Sequence, residues 1–144
     1  MTFIFEKKHT FELDKFFGCT SIHIMAEHND LGKEGENIVV RFLTDKGFRI
    51  LDRNWHYGKD ELDIVAETDT HLVFVEVKTR SNIIYGEPEE AVTKKKQRFL
   101  IRAANAYIEK NNCTKEARFD IISVILPSHP LHINHIEDAF YPTL

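Results

Sequence analysis

Two acidic residues and one lysine are spaced in a pattern that suits phosphate chemistry. Glu76 and Lys78 end the apolar, strongly β-forming segment 72–78, and Asp63 precedes them by a short connection. Side chains alternate along a strand, so Glu76 and Lys78 should share one face. Burying both unpaired would cost several kcal/mol. They therefore either pair with each other or serve a ligand in a cleft.

Asp63 lies in a second predicted strand, residues 61–66, joined to the first by a hairpin. Alternation predicts Glu61, Asp63 and Val65 on one face of that strand and Leu62, Ile64 and Ala66 on the other. Asp63 can then lie opposite or diagonal to Glu76. Two adjacent carboxylates repel each other unless a cation binds, and oxygen ligands suit Mg²⁺ or Mn²⁺. The Val77 carbonyl is a further candidate ligand for the metal.

Lys78 has a chemical use beside such a pair of carboxylates. It can orient or help deprotonate a water molecule, or stabilise charge that develops on a phosphate. An isolated Glu-x-Lys triplet is common, however, and taken alone it favours a structural salt bridge. If that bridge lay at the surface, both side chains would be exposed. The second carboxylate, Asp63, shifts the preference towards a catalytic site.

Glu36 is a candidate third carboxylate on the first predicted helix. At about 100° per residue it lies roughly 20° from Leu43, at the edge of the apolar face. It either faces the sheet near the site or is an ordinary solvated residue. Glu34 should be exposed and serves as the comparison.

Positive charge is concentrated just after the candidate site. The chain has a net charge of −4, but residues 78–102 hold seven Lys or Arg against three Glu, a local net of +4, so the remaining residues sum to −8. The candidate nucleic-acid contacts are Lys94, Lys95, Lys96, Gln97 and Arg98. These residues fall on a predicted helix, and a basic helix suits sequence-independent contacts with phosphates. An ordinary solvated helix surface explains any single one of these residues equally well. Lys96 or Gln97 could also reach the site.

Hydrophobic periodicity and turn residues predict the order α-β-β-β-α-β-β, hence an α/β domain with a mixed sheet of about five strands flanked by helices. The first helix is predicted from Asp30 to Lys46, ended by Gly47, and the second from about Glu89 to Lys110, ended by Asn111-Asn112. The core side of the second helix should contain Val92, Phe99, Ala103, Ala106 and Tyr107. The strands are predicted at 48–55, 61–66, 71–80, 119–126 and 131–136.

Residues 1–28 show no sustained period and form a predicted N-terminal extension to a domain at 29–144. Met25 is one candidate for the true start, which would leave the preceding residues outside the natural or ordered protein. The alternative is an ordered N-terminal strand or helix that covers the core. We favour the first interpretation.

The remaining features indicate a cytoplasmic protein. Cys19 and Cys113 form no disulfide or zinc motif, no apolar run reaches the roughly 18 residues of a membrane span, and the N-terminus has no secretory h-region. His129, His132 and His135 are spaced by three, but on a predicted strand this spacing does not favour zinc. Asp120 is expected to be structural, and a role in the site is the alternative.

Several segments resemble the YraN family of uncharacterised bacterial proteins. They are Gly32-Lys33-Glu34-Gly35-Glu36, residues 48–51 and 53–55, residues 61–66, residues 74–80, Lys96-Gln97-Arg98, Ala103-Ala104 with Tyr107, and Arg118-Phe119-Asp120. The resemblance extends from about residue 29 to residue 140. The YraN family is similar to archaeal Holliday-junction resolvases and other restriction-endonuclease-like enzymes of the PD-(D/E)xK kind.

The resemblance implies a restriction-endonuclease-like fold and a Mg²⁺- or Mn²⁺-dependent endonuclease. It implies that Glu36, Asp63, Glu76 and Lys78 occupy the catalytic positions. The expected substrate is DNA, with branched or damaged DNA among the candidates. The alternative is a non-catalytic module that binds nucleic acid or a partner protein. A homodimer is also left open.

Overall fold

The structure, a computed structural model, describes residues 20–81 and 92–142, with side chains described from Asp30 onwards. The elements of this part are α1 (Thr20–Asp45), β1 (Arg49–Tyr57), β2 (Asp60–Glu67), β3 (His71–Arg80), α2 (Lys94–Asn111), β4 (Glu116–Ile125) and β5 (His132–Ile136). This order confirms the predicted one. The strand bounds agree with prediction to within three residues, and those of β3 are the predicted ones. Neither of these two helices has an apolar stretch of the length needed to cross a membrane.

The strands form one mixed sheet in the order β1-β2-β3-β4-β5, which confirms the predicted fold class. β1 and β2, β2 and β3, and β4 and β5 pair antiparallel. β3 and β4 pair in parallel along their whole length. A parallel pair needs a crossover connection, which α2 supplies. The β2–β3 ladder covers only Ile64↔Val75 to Glu67↔Leu72, so the first half of β2 leaves β3.

The two helices cover opposite faces of the sheet. One core cluster joins α1 to the sheet and includes Val39, Leu43, Ile64, Val73, Val75, Ile122 and Val124. The other joins α2 to the sheet and includes Leu62, Val65, Leu72, Phe74, Leu100, Ala103, Tyr107 and Phe119. Two apolar layers, one on each face, explain why β3 is hydrophobic on both sides.

Helix α1 begins at Thr20, and not at Asp30 as predicted. Residues 20–30 contain no Gly or Pro, so nothing in them stops the helix from continuing past a residue that could have capped it. The predicted end is confirmed, since Gly47 adopts φ 88° and Phe48 N–H donates to the Leu43 carbonyl. Residues 1–19 lie outside the described residues, and a start at Met25 stays a prediction.

Helix α2 begins at Lys94, so the predicted start near Glu89 is wrong for the described residues that precede the helix. Val92 and Thr93 are not helical, and residues 89–91 lie outside the described part. The Thr93 hydroxyl oxygen accepts from Lys96 N–H at 3.2 Å and caps the helix. Asn112, with φ 52°, ends it as predicted. The buried residues of α2 are Leu100, Ala103, Ala104 and Tyr107. The prediction of Phe99 and Ala106 on the core side is wrong, because both are only partly buried at the edge of this face.

Candidate active site

Asp63 lies where β2 separates from β3. The ladder ends at Ile64↔Val75, and beyond it Asp63 Oδ2 accepts from Val77 N–H at 2.8 Å. The carboxylate thus replaces a strand carbonyl and is held against β3 one residue from Glu76. The predicted alternation breaks at this point, because Leu62 packs with the α2 cluster whereas Ile64 packs with the α1 cluster. The prediction that these two residues share a face is therefore wrong.

Glu76 is buried in the middle of the site, with 3% of its side chain exposed. Its Oε1 atom accepts from Lys78 Nζ at 2.7 Å and lies 3.2 Å from Lys96 Nζ. In the described part of the chain, Glu76 Oε2 is the buried side-chain oxygen or nitrogen that has no hydrogen-bond partner. A buried acceptor without a partner costs about 1–3 kcal/mol, and more when it is charged. Half of this carboxylate is thus satisfied and half is free to bind a ligand.

The environment of Asp63 opposes its ionisation. Burial, followed by the charge of Glu76, raises the pKa of Asp63 from 3.8 to about 7. The Val77 N–H and the Lys96 charge act in the opposite direction, and the Glu36 charge adds a smaller increase. Two carboxylates therefore share a site whose lysines do not fully neutralise them. Such a site favours an additional cation.

Two lysines converge on Glu76 from different elements. Lys78 extends from β3 itself, and Lys96 reaches across from the first turn of α2. Because Glu76 is buried, the surface salt-bridge interpretation, which required both partners to be exposed, is wrong. Gln97, the other predicted candidate on α2, does not turn to Glu76 and donates to the Val92 carbonyl at 3.1 Å. From the sequence, Lys96 could be named only as a candidate for the site, because its contact with Glu76 joins two segments that are distant in the chain.

Glu36 faces the same region from α1. Its Oε2 atom accepts from Asn54 Nδ2 at 3.0 Å and lies 3.9 Å from the Arg53 guanidinium. Glu36, Val77 and Lys78 line one cavity of about 250 Å³. Glu34 is exposed, as expected. Sequence reasoning about the site missed Asn54, whose backbone has φ 48° and which turns its amide towards α1.

Gly35 allows α1 to approach the sheet next to Glu36. A Cβ atom at Gly35 would overlap the Thr79 hydroxyl and lie 3.1 Å from Thr79 Cβ. Only glycine leaves room for this contact without a shift of the helix or of the Thr79 side chain. The close approach places the Glu36 side chain at the cavity that Lys78 also lines.

The donors at the site fit a hard divalent cation. Asp63 and Glu76 supply carboxylate oxygens, one of them without a partner. In a strand the N–H and C=O of one residue point to the same side, so the Val77 carbonyl faces the gap left by β2. Within the residues described, no three His, Cys, Asp or Glu side chains converge as ligands. A bound ion would therefore rest on two carboxylates and a carbonyl, with water at its other positions, as Mg²⁺ tolerates.

The basic cluster of α2 divides into two groups. Lys96 turns inwards to Glu76, whereas Lys94, Lys95 and Arg98 are exposed. Further along the helix, Arg102 pairs with Asp60 at 2.6 Å. The three exposed residues remain accessible to a phosphate backbone, and their role as nucleic-acid contacts stays a prediction.

Asp120 lies in a structural network. Its buried carboxylate accepts from Arg118 at 2.9 and 2.8 Å, lies 2.8 Å from His135 Nε2, and accepts from Asp138 N–H at 3.0 Å. Burial raises the pKa of Asp120, but these hydrogen bonds outweigh burial and keep it below its usual value. His135 is thus occupied by a carboxylate, and His132 is exposed. This network agrees with the expectation of a structural Asp120.

Known proteins are similar to most of this chain. The model of "Uncharacterised protein family UPF0102" matches residues 35–124, which include Glu36, Asp63, Glu76 and Lys78. A UPF0102 protein of Phocaeicola vulgatus is 52% identical over 120 residues, covering 83% of this chain and 99% of the relative. One of Bacteroides thetaiotaomicron is 51% identical over 120 residues, with the same coverage. One of Flavobacterium psychrophilum is 50% identical over 117 residues, covering 81% and 98%.

Proposed function

The chain belongs to the UPF0102 family, which includes the YraN proteins, and from that premise we propose that it is a metal-dependent nuclease that hydrolyses phosphodiester bonds in DNA. Candidate substrates include branched and damaged DNA, and the proposal includes a cytoplasmic location. One observation carries it above the others. Glu76 Oε2 is buried without a partner beside Asp63, whose pKa is raised to about 7. A bound cation would give Glu76 Oε2 a partner and would favour the ionised form of Asp63, so it would stabilise the site.

Mg²⁺ or Mn²⁺ would be held by Asp63, Glu76 and the Val77 carbonyl. When bound, such an ion polarises a phosphoryl oxygen and makes water more acidic. It would also supply a partner for Glu76 Oε2 and favour the ionised form of Asp63. The fit rests on the chemistry of these donors.

The protein's own side chains account for the remaining needs of hydrolysis. A water oxygen forms a bond to phosphorus while the bond from phosphorus to the leaving sugar oxygen breaks. Lys78 Nζ can position that water or the phosphate, and Lys96 adds positive charge from α2. The Glu36 carboxylate, at the cavity that Lys78 also lines, can accept the proton of the water.

A binding module is the second candidate, and one observation favours it. Glu76 Oε1 already has two lysine partners, so the site is partly neutralised without metal. In that case the chain would bind nucleic acid or a partner protein. The net charge of −4 fits a partner protein better than it fits the negatively charged nucleic acid. Titration calorimetry separates the candidates, since the nuclease should bind Mg²⁺ or Mn²⁺ through Asp63 and Glu76 and the module should bind neither.

Cleavage of defined DNA substrates tests the proposal. The protein is incubated with four-way, nicked, single-stranded and duplex DNA in Mg²⁺ or Mn²⁺, beside Asp63→Asn, Glu76→Gln and Lys78→Met. We expect each variant to lose at least about 100-fold in rate. Glu34→Gln, an exposed change on the helix that bears Glu36, is the matched control and should retain full activity. If the wild-type protein cuts none of these substrates, or if the variants cut as fast as it does, the proposal is wrong.

A further inference from the structure

We propose that a surface cavity between α2 and the end of β1 binds an unpaired nucleotide of single-stranded DNA. This inference rests on the proposed function and specifies its substrate as DNA with unpaired bases near the cleaved bond. The cavity has a volume of about 380 Å³, within the usual range for small-molecule sites. It is lined by Tyr57 from β1 and by Arg98, Arg102, Asn105 and Glu109 among the α2 residues.

Tyr57 offers an aromatic surface for a base. Its side chain is exposed, with 49% of the residue accessible, although most large apolar residues in the described part are buried. The ring lies parallel to that of Trp55, with 2° between the planes and 6.4 Å between centroids. Trp55 is itself fixed edge-on against the buried Tyr107 ring, 5.2 Å away. Tyr57 is thus held on one side and open on the other, as a stacking platform requires.

The polar residues that line the cavity run from positive to neutral to negative along α2. Arg98 is exposed and forms no ion pair within the described part of the chain, so it is available to a phosphate. Arg102 donates to Asp60 at 2.6 Å and lies over the Phe99 ring, so these two contacts orient it at the cavity. Asn105 and Glu109, further along, can bind the edge of a base, since Glu accepts from an exocyclic amino group. The charge order places a phosphate near Arg98 and a base towards Glu109.

The cavity lies at a suitable distance from the candidate active site. Tyr57 pairs with Asp60 at the start of β2, and Asp63 follows three residues later on the same strand. Three strand residues span about 10 Å, or roughly three stacked nucleotides at about 3.4 Å each. Lys96, which contacts Glu76, precedes Arg98 on α2. One continuous strand could therefore place a phosphate at Glu76 and an unpaired base on Tyr57.

Binding measured without cleavage tests this inference. Fluorescein-labelled single-stranded and duplex oligonucleotides are titrated with the full chain in EDTA, and fluorescence anisotropy is followed. We expect tighter binding of the single strand, and Tyr57→Ala should weaken it about 5- to 150-fold. Tyr57→Phe, which keeps the ring, should bind as the wild type does. Trp55 is the one tryptophan of the chain, so its emission should change when the single strand binds and not when a duplex does.

Two control variants make the test specific. Tyr141→Ala removes an exposed tyrosine that does not line the cavity and should leave affinity unchanged. Arg98→Ala should weaken binding and lower the salt dependence by about one counterion. Equal affinities of Tyr57→Ala and Tyr141→Ala, or equal binding of duplex and single strand, would overturn the inference while leaving any observed cleavage intact. Conversely, Tyr57-dependent binding with no cleavage in metal would overturn the proposed nuclease alone.

Discussion

Asp63→Asn is expected to stabilise the protein above neutral pH and to have little or no stabilising effect in acid. In the folded protein, burial and the charge of Glu76 raise the pKa of Asp63 from 3.8 to about 7. At a pH between these two pKa values, Asp63 keeps its proton in the folded chain and releases it in the unfolded chain. The free energy of unfolding of the wild type should therefore fall as pH rises from about 4 to about 7 and then level off. Asparagine has no such proton to lose.

The size of the effect follows from the shift in pKa. A shift of about three units corresponds to about 4 kcal/mol at 1.36 kcal/mol per unit, which is an upper bound for the gain above pH 7. Asparagine keeps an acceptor for Val77 N–H, but burying its amide costs on the order of 1–3 kcal/mol if it is incompletely paired. We therefore expect a net stabilisation of about 1–3 kcal/mol at pH 8.

Urea unfolding in EDTA at pH 4.5, 6 and 8 measures this difference. Asp69→Asn is the matched control, because Asp69 is exposed in the turn between β2 and β3. The reasoning is refuted if Asp63→Asn changes the free energy of unfolding equally at pH 4.5 and pH 8. It is also refuted if the control shows the same pH dependence. Adding Mg²⁺ should stabilise the wild type more at pH 8 than at pH 4.5 and should have less effect on Asp63→Asn.

Three further predictions concern stability and are checked by urea denaturation at pH 7. Gly35→Ala should be destabilising, because overpacking against Thr79 costs about 1–3 kcal/mol, of which helix propensity offsets about 1 kcal/mol; a second change, Thr79→Ala, should recover most of the loss. Asp120→Asn should cost about 3–5 kcal/mol, since it removes the buried carboxylate to which Arg118 donates at 2.9 and 2.8 Å. Tyr107→Phe should cost about 0.5–1.5 kcal/mol through the lost bond to Asp52. An unchanged unfolding midpoint would contradict the prediction for that variant.

Local pattern was sufficient to predict most of the framework. The bounds of β3 followed from an apolar, β-branched run, and the ends of both helices from Gly47 and Asn112, because these signals act within a few residues. The helix starts failed for the same reason. Asp30 and Glu89 looked like starts locally, but α1 continues through a segment without breakers and α2 is capped by Thr93.

The residues of the candidate site could be predicted from the sequence, but the contacts between them could not. The spacing of Asp63, Glu76 and Lys78 identified a candidate, but their geometry depends on β2 leaving β3, which alternation along a strand does not reveal. The same divergence moved Leu62 to the opposite face. The approach of Lys96 across the fold and the partnerless Glu76 Oε2 arise only from tertiary packing.

The strand order has a consequence for how the chain acquires its structure during synthesis. Strands that neighbour each other in the sheet also follow each other along the chain, and only the β3–β4 pair must wait for α2 to cross over. The first three strands can form a meander while the rest of the polypeptide is still being translated. In such a nascent chain Asp63 and Glu76 would already be close, whereas Lys96 would not yet have arrived. Mutual repulsion would then keep that end of the meander hydrated and open until α2 closes over it.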